Sequence, residues 1–225
     1  MKNKIIIAII IITVIIIAGV TIYIIANKNN DTVTTSKENE NNQKIEEEKE
    51  MNNEPIEYLS GKHNVEIEVK DLGVIALELD ADIAPITVTN FIKLVKQGFY
   101  NGLTFHRIID GFMIQGGDPL GTGMGGSDEK IKGEFIANGV ANSISHVRGV
   151  ISMARAGYSY DSASSQFFIV HEDSLFLDGQ YASFGKVTSG MEIVDKIAEN
   201  TQVEDSNGTV LKENQPIIKE IRVVE

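Results

Sequence analysis

Two runs of strict apolar–polar alternation, joined by a three-residue turn, constrain the fold of this chain most tightly. Val65, Ile67 and Val69 interleave with Glu66 and Glu68, and Ile75, Leu77 and Leu79 resume the period after Asp71-Leu72-Gly73. Successive side chains of a strand point to opposite faces, so a two-residue period predicts a half-buried β-hairpin here. A helix is predicted next. Pro85 suits a first helical turn, Val88, Phe91, Ile92 and Val95 form one apolar stripe, and Gly98 ends it. Further strand-like runs lie between glycines at 103–109, 112–115, 149–154, 166–170 and 182–187, and a last strand is expected over 216–224. A second helix is predicted from Ser189, where Ser189 and Glu192 have capping-box spacing and Met191, Val194 and Ile197 give an inner face. Many short strands with two helices near opposite ends predict a mainly β domain, a closed antiparallel barrel capped by helices.

The segment before this domain is of another kind. Residues 5–26 form an uncharged, predominantly apolar run of 22 residues. As a helix it would extend about 33 Å, enough to cross the roughly 30 Å hydrocarbon layer. Residues 1–26 therefore read as an N-terminal transmembrane anchor. Lys2 and Lys4 place its start in the cytoplasm and the rest of the chain outside, in a single-pass arrangement at the cell membrane. Secretion after cleavage of a signal sequence is the alternative, although Ile25-Ala26 is a poor match to a small-residue cleavage site. Residues 27–57 carry four lysines and nine acids and almost nothing to bury, so they read as a disordered acidic linker. Residues 58–225 remain as the globular domain.

Composition removes several classes of chemistry. The net charge of −12 disfavours nucleic acid, whose phosphates need clustered Lys and Arg. The chain has no cysteine, which excludes disulfides, Cys-ligated zinc and thiol catalysis. GTGMGG at 121–126 lacks the GK[ST] ending of a phosphate loop and reads as a surface loop. His63, His106, His146 and His171 show no metal-ligand spacing, and Ser164-Ser165 lacks a nucleophile-elbow context. No metal and no cofactor are expected.

What remains are four segments in order: FHRIIDGFMIQGGD, RGVISMARAG, SASSQFFIV and LFLDGQYASFGKV. Together they resemble the cyclophilin family of peptidyl-prolyl cis-trans isomerases, over residues 63–224. The resemblance implies an eight-stranded antiparallel barrel capped by two α-helices. It also implies an enzyme that accelerates rotation of X-Pro peptide bonds and assists the folding of exported proteins; a module that binds Pro-containing segments with little turnover is the alternative. Proline-containing peptides and unfolded or partly folded exported proteins are the implied partners.

The same resemblance assigns the site. Arg107 is the implied catalytic residue. Phe112, Met113, Phe168 and Leu177 are implied to line a pocket for the proline ring, with Gln115 orienting Arg107 and substrate. Ala154, Arg155 and Gln166 are implied to border the peptide groove. Three positions depart from the best-known eukaryotic pattern: Phe176 stands for tryptophan, Tyr181 for histidine and Arg155 for asparagine. Loss of the indole N–H at Phe176 is expected to weaken cyclosporin binding more than turnover. Tyr181 keeps an aromatic wall, and Arg155 adds a cation to the groove.

Overall fold

The structure, a computed structural model, describes residues 57–224. The expected membrane anchor at 1–26 and all but the last residue of the expected linker at 27–57 lie outside the described residues. Among the described residues no helix is long and apolar enough to cross a membrane.

Eight antiparallel strands form one curled sheet. They are β1 (Lys62–Val69), β2 (Gly73–Asp80), β3 (Thr104–Ile109), β4 (Met113–Asp118), β5 (Val150–Met153), β6 (Phe167–Val170), β7 (Ser183–Ser189) and β8 (Ile218–Val224). Their spatial order is β3-β4-β6-β5-β7-β2-β1-β8. Two helices, α1 (Pro85–Lys96) and α2 (Met191–Asn200), complete the domain. The alternation that defined the hairpin is borne out. β1 and β2 pair from Lys62–Asp80 to Val69–Gly73, with Val65, Ile67, Ile75, Leu77 and Leu79 all inside. Asp71 takes a left-handed φ of 61° in the turn, as short polar side chains can.

The edges of the sheet meet less fully than a closed barrel requires. β3 meets the residues just before β8 through a single bridge, Thr104 with Ile217, flanked by Phe105 N–H to Pro216 O at 2.9 Å and Ile218 N–H to Leu103 O at 2.7 Å. The shape is a curled half-barrel, because β8 spends its ladder on β1 and only the residues just before it reach β3.

The concave side holds the main core. Phe91 of α1 packs on Tyr100, Phe167 and Phe184 at ring-centroid distances of 5.0, 5.6 and 5.2 Å, and Phe105 adds an edge contact to Phe167. Such tilted and edge-on pairs are the favoured aromatic geometry. Pro85 opens α1 as predicted, but Ala84 offers no capping side chain. The cap comes from Glu134, which is buried and accepts hydrogen bonds from Ile86 N–H at 3.0 Å and Thr87 N–H at 2.8 Å. It thereby serves two of the backbone donors left free at a helix start.

The predicted capping box at Ser189 and Glu192 does not form. Ser189 is the last residue of β7, paired with Ala76, and α2 starts at Met191 after Gly190. Gly190 turns the chain with φ 86°, and a Cβ there would lie 2.3 Å from Val74 O. Strand pairing on one side and this close approach on the other leave Ser189 unable to cap. Val194 and Ile197 are buried, as their spacing predicted.

Candidate active site

Period-two alternation on β4 and β6 separates the core from a second apolar cluster on the other face. Ile114 and Phe167 face the core, whereas Met113 and Phe168 belong to the second cluster with Val150, Val170 and Leu177. Phe112, Ala154 and Tyr181 pack against that cluster and stay partly exposed.

Arg107 reaches this face through two irregularities. Simple alternation would put Phe105 and Arg107 on one side of β3. The pairing instead runs Thr104–Asp118, Phe105–Gly116 and Arg107–Gln115, so Gly117 is extra on β4 and His106 is extra on β3. Gly117 has φ 82°, and a Cβ there would meet Ser165 O at 2.5 Å, so only glycine fits this bulge. The second bulge restores register and turns Arg107 toward Met113 and Gln115 while Phe105 stays in the core. His106 is buried at the bulge, with both ring nitrogens lacking a protein partner.

The guanidinium is held on two sides. Nε donates to Asn207 O at 2.7 Å, and Nη1 donates to Gln115 Oε1 at 3.3 Å and approaches Met113 Sδ at 3.9 Å. The Asn207 carbonyl sits in a turn braced by Asp205, whose carboxylate accepts from Asn207 N–H, Thr209 N–H and the Thr209 hydroxyl. These bonds hold the Asp205 carboxyl below the usual range, first among them that of Thr209 N–H. Partial burial lowers the Arg107 pKa, opposed by Tyr181 and Asp205; an arginine remains protonated in such a setting. The N–H groups on Nη2 have no partner among the described residues, so they are free to donate.

Gln115 continues the network. Its Nε2 donates to Gln166 Oε1 at 2.9 Å, and Gln166 Nε2 donates to Gly123 O at 3.0 Å and Gly125 O at 2.7 Å. The GTGMGG stretch is partly exposed, as expected of a surface loop, and it also supplies one wall of an open groove of about 460 Å³. Gln115, Ala154, Arg155 and Gln166 all line this groove. Sequence reading missed both the loop's part in the groove and the Asp205 turn. The only signal for the latter was the Asp-Ser-Asn-Gly composition of a tight turn.

The apolar residues gather as the resemblance implied. Met113 is 1%, Phe168 5% and Leu177 8% exposed, forming a floor below Phe112 and Tyr181. Phe176 is 67% exposed and its ring lies 5.5 Å from that of Phe112. Tyr181 meets Phe168 edge-on at 5.9 Å. His146 stacks on Phe168 at 6.0 Å. It joins two walls, with Nδ1 donating to Asp178 Oδ1 at 2.8 Å and Nε2 accepting from the Ser152 hydroxyl at 3.0 Å. Among the described residues no group of three metal-ligating side chains converges.

A peptidyl-prolyl cis-trans isomerase of Helicobacter pylori is 50% identical over 134 residues, which are 59% of this chain and 78% of that protein. Peptidyl-prolyl cis-trans isomerase B of Bacillus subtilis is 48% identical over 145 residues, 64% of this chain and 92% of that protein. The crystal structure of a Cryptosporidium parvum cyclophilin type peptidyl-prolyl cis-trans isomerase, in the presence of the dipeptide Ala-Pro, matches with a TM-score of 0.63 at 32% identity. The match covers 72% of this chain and 99% of that one. The family model for cyclophilin type peptidyl-prolyl cis-trans isomerases matches residues 64–224. This chain belongs to the cyclophilin type peptidyl-prolyl cis-trans isomerase family and is an isomerase of X-Pro peptide bonds.

Proposed function

We propose that Arg107 is the catalytic group and that the cluster of Phe112, Met113, Phe168, Leu177 and Tyr181 holds the proline ring beside it. An X-Pro bond rotates slowly because C–N double-bond character sets a barrier of about 18–20 kcal/mol. Rotation breaks no covalent bond. In the twisted state the proline nitrogen becomes pyramidal and regains a lone pair, and the free N–H groups of Arg107 are donors for it. A donor that gains more from the twisted amide than from the planar one lowers the barrier. About 3–4 kcal/mol of such preference corresponds to roughly 10²–10³ in rate.

The observation that carries this reading is the half-occupied guanidinium. Asn207 O and Gln115 Oε1 fix its plane, and its remaining donors lie beside Met113 at the edge of the apolar cluster. Burying the ring there contributes on the order of 1.5–3 kcal/mol to binding. The groove lined by Gln115, Ala154, Arg155 and Gln166 receives the flanking peptide in extended form.

In the same reading the apolar run at 5–26 anchors the domain, with 27–57 as a tether, and its clients are exported chains that pass the outer face of the membrane. The length of the run and the lysines before it support this arrangement.

Exchange spectroscopy on a prolyl peptide with catalytic amounts of the chain tests the activity. Faster cis–trans exchange is expected; resonance shifts without added exchange would mean a binding module instead. Protease digestion of intact cells tests the topology, with cleavage of the domain expected and full protection contradicting it.

A further inference from the structure

The groove beside the apolar cluster has an unusual charge balance for this chain. Arg155 and Lys130 line it and no Asp or Glu does, although the chain carries a net charge of −12. Neither cation has a carboxylate within ion-pair distance among the described residues. Of the two acids that precede Lys130, Glu129 is taken by Lys93 at 2.7 Å.

Arg155 is also held in place. Its guanidinium carbon lies 4.7 Å from the ring centre of Tyr181, 4.9 Å from that of Tyr160 and 5.5 Å from that of Phe135. Nε donates to Gln180 O at 2.9 Å and Nη1 to Ala156 O at 3.1 Å. Nη2 has no partner among the described residues. A guanidinium stacked on aromatic faces with Nη2 unoccupied has a charged donor already ordered for a carboxylate.

We propose that Arg155, assisted by Lys130, makes this isomerase selective for prolyl segments that carry an Asp or Glu within three residues of the proline. The inference rests on the proposed placement of the proline ring, since the groove adjoins that cluster through Ala154. It names the charge class of the substrate. Because the groove lies to one side of the cluster, the preference belongs to one flank of the proline only.

The test uses the full chain and acetylated, amidated peptides with Glu or Gln at each of three positions on either side of one proline. The proposal expects Glu to exceed Gln in kcat/KM by about fivefold on one flank at low salt, and by less than about twofold in roughly 0.5 M salt. Arg155→Gln should abolish the Glu-to-Gln ratio, Arg155→Lys should keep part of it, and Lys130→Gln should reduce it. Equal rates for Glu and Gln at every position would overturn the proposal, as would a ratio unchanged in Arg155→Gln. If Arg155→Gln does not fold, an undiminished ratio in both Lys130→Gln and high salt overturns it instead. The Gln peptides read isomerase activity by themselves. Absence of turnover on them would overturn the isomerase reading and this proposal with it.

Discussion

Arg107 and Gln115 stand opposite each other on β3 and β4, and the Gln115 side-chain oxygen accepts from Arg107 Nη1 at 3.3 Å. The amide cannot turn over without cost, because its nitrogen is committed to Gln166 at 2.9 Å. In the proposed mechanism Gln115 acts on catalysis through the orientation of Arg107. Gln115→Ala is expected to lower kcat/KM by about tenfold, the equivalent of one hydrogen bond in the transition state. Gln166→Ala should lower it by less. Circular dichroism should show both folded; a Gln115→Ala rate equal to wild type would contradict the role.

Glu134 supplies the start of α1 from nearly fifty residues away. Glu134→Ala leaves two helix donors and a hole in a buried site. It is expected to cost about 2–4 kcal/mol in urea unfolding, with Glu134→Gln costing roughly half as much. A loss below about 0.5 kcal/mol for Glu134→Ala would mean that the cap adds nothing.

Much of the architecture was legible because period-two alternation, a proline at a helix start and long matched segments are local signals. The hairpin of β1 and β2, the buried stripe of α1 and the gathering of Met113, Phe168 and Leu177 all followed from them. Other features depend on partners remote in the sequence. The cap from Glu134 is one. The Ser189 capping box failed because β2 claims Ser189 for the sheet. The orientation of Arg107 depends on paired bulges at Gly117 and His106, which alternation alone reads wrongly. Arg155 was expected as an added cation, and only the fold shows the three aromatic rings around it.

Two buried histidines make stability depend on pH. Burial pushes the His146 pKa below its ordinary value, with Asp178 opposing. Burial likewise lowers His106, opposed by Asp118 and aided by Arg107. The unfolded chain then binds more protons on acidification than the folded one does. The stabilisation is complete above the ordinary histidine value of about 6.5 and is lost as pH falls below it. The urea midpoint should therefore fall between about pH 7.5 and pH 5, and His146→Gln should shrink that fall. An identical pH dependence in the variant would contradict the assignment to His146.

Phe176 lies on the open side of the site against Phe112. Phe176→Trp introduces an indole N–H at an exposed rim. Cyclosporin should bind the variant about tenfold more tightly, one hydrogen bond's worth, and gain more than kcat/KM does. Unchanged inhibition would remove the indole from the explanation.

The most direct measurement is kcat/KM for a prolyl peptide with the wild-type chain, Arg107→Lys and Arg107→Ala side by side. Loss of a preorganised donor predicts a drop of about 10²–10³ for Arg107→Ala, with thermal unfolding little changed. Arg107→Lys should recover little, since an ammonium cannot hold Asn207 O and Gln115 Oε1 while donating to substrate. A folded Arg107→Ala protein that isomerises as fast as wild type would contradict the account.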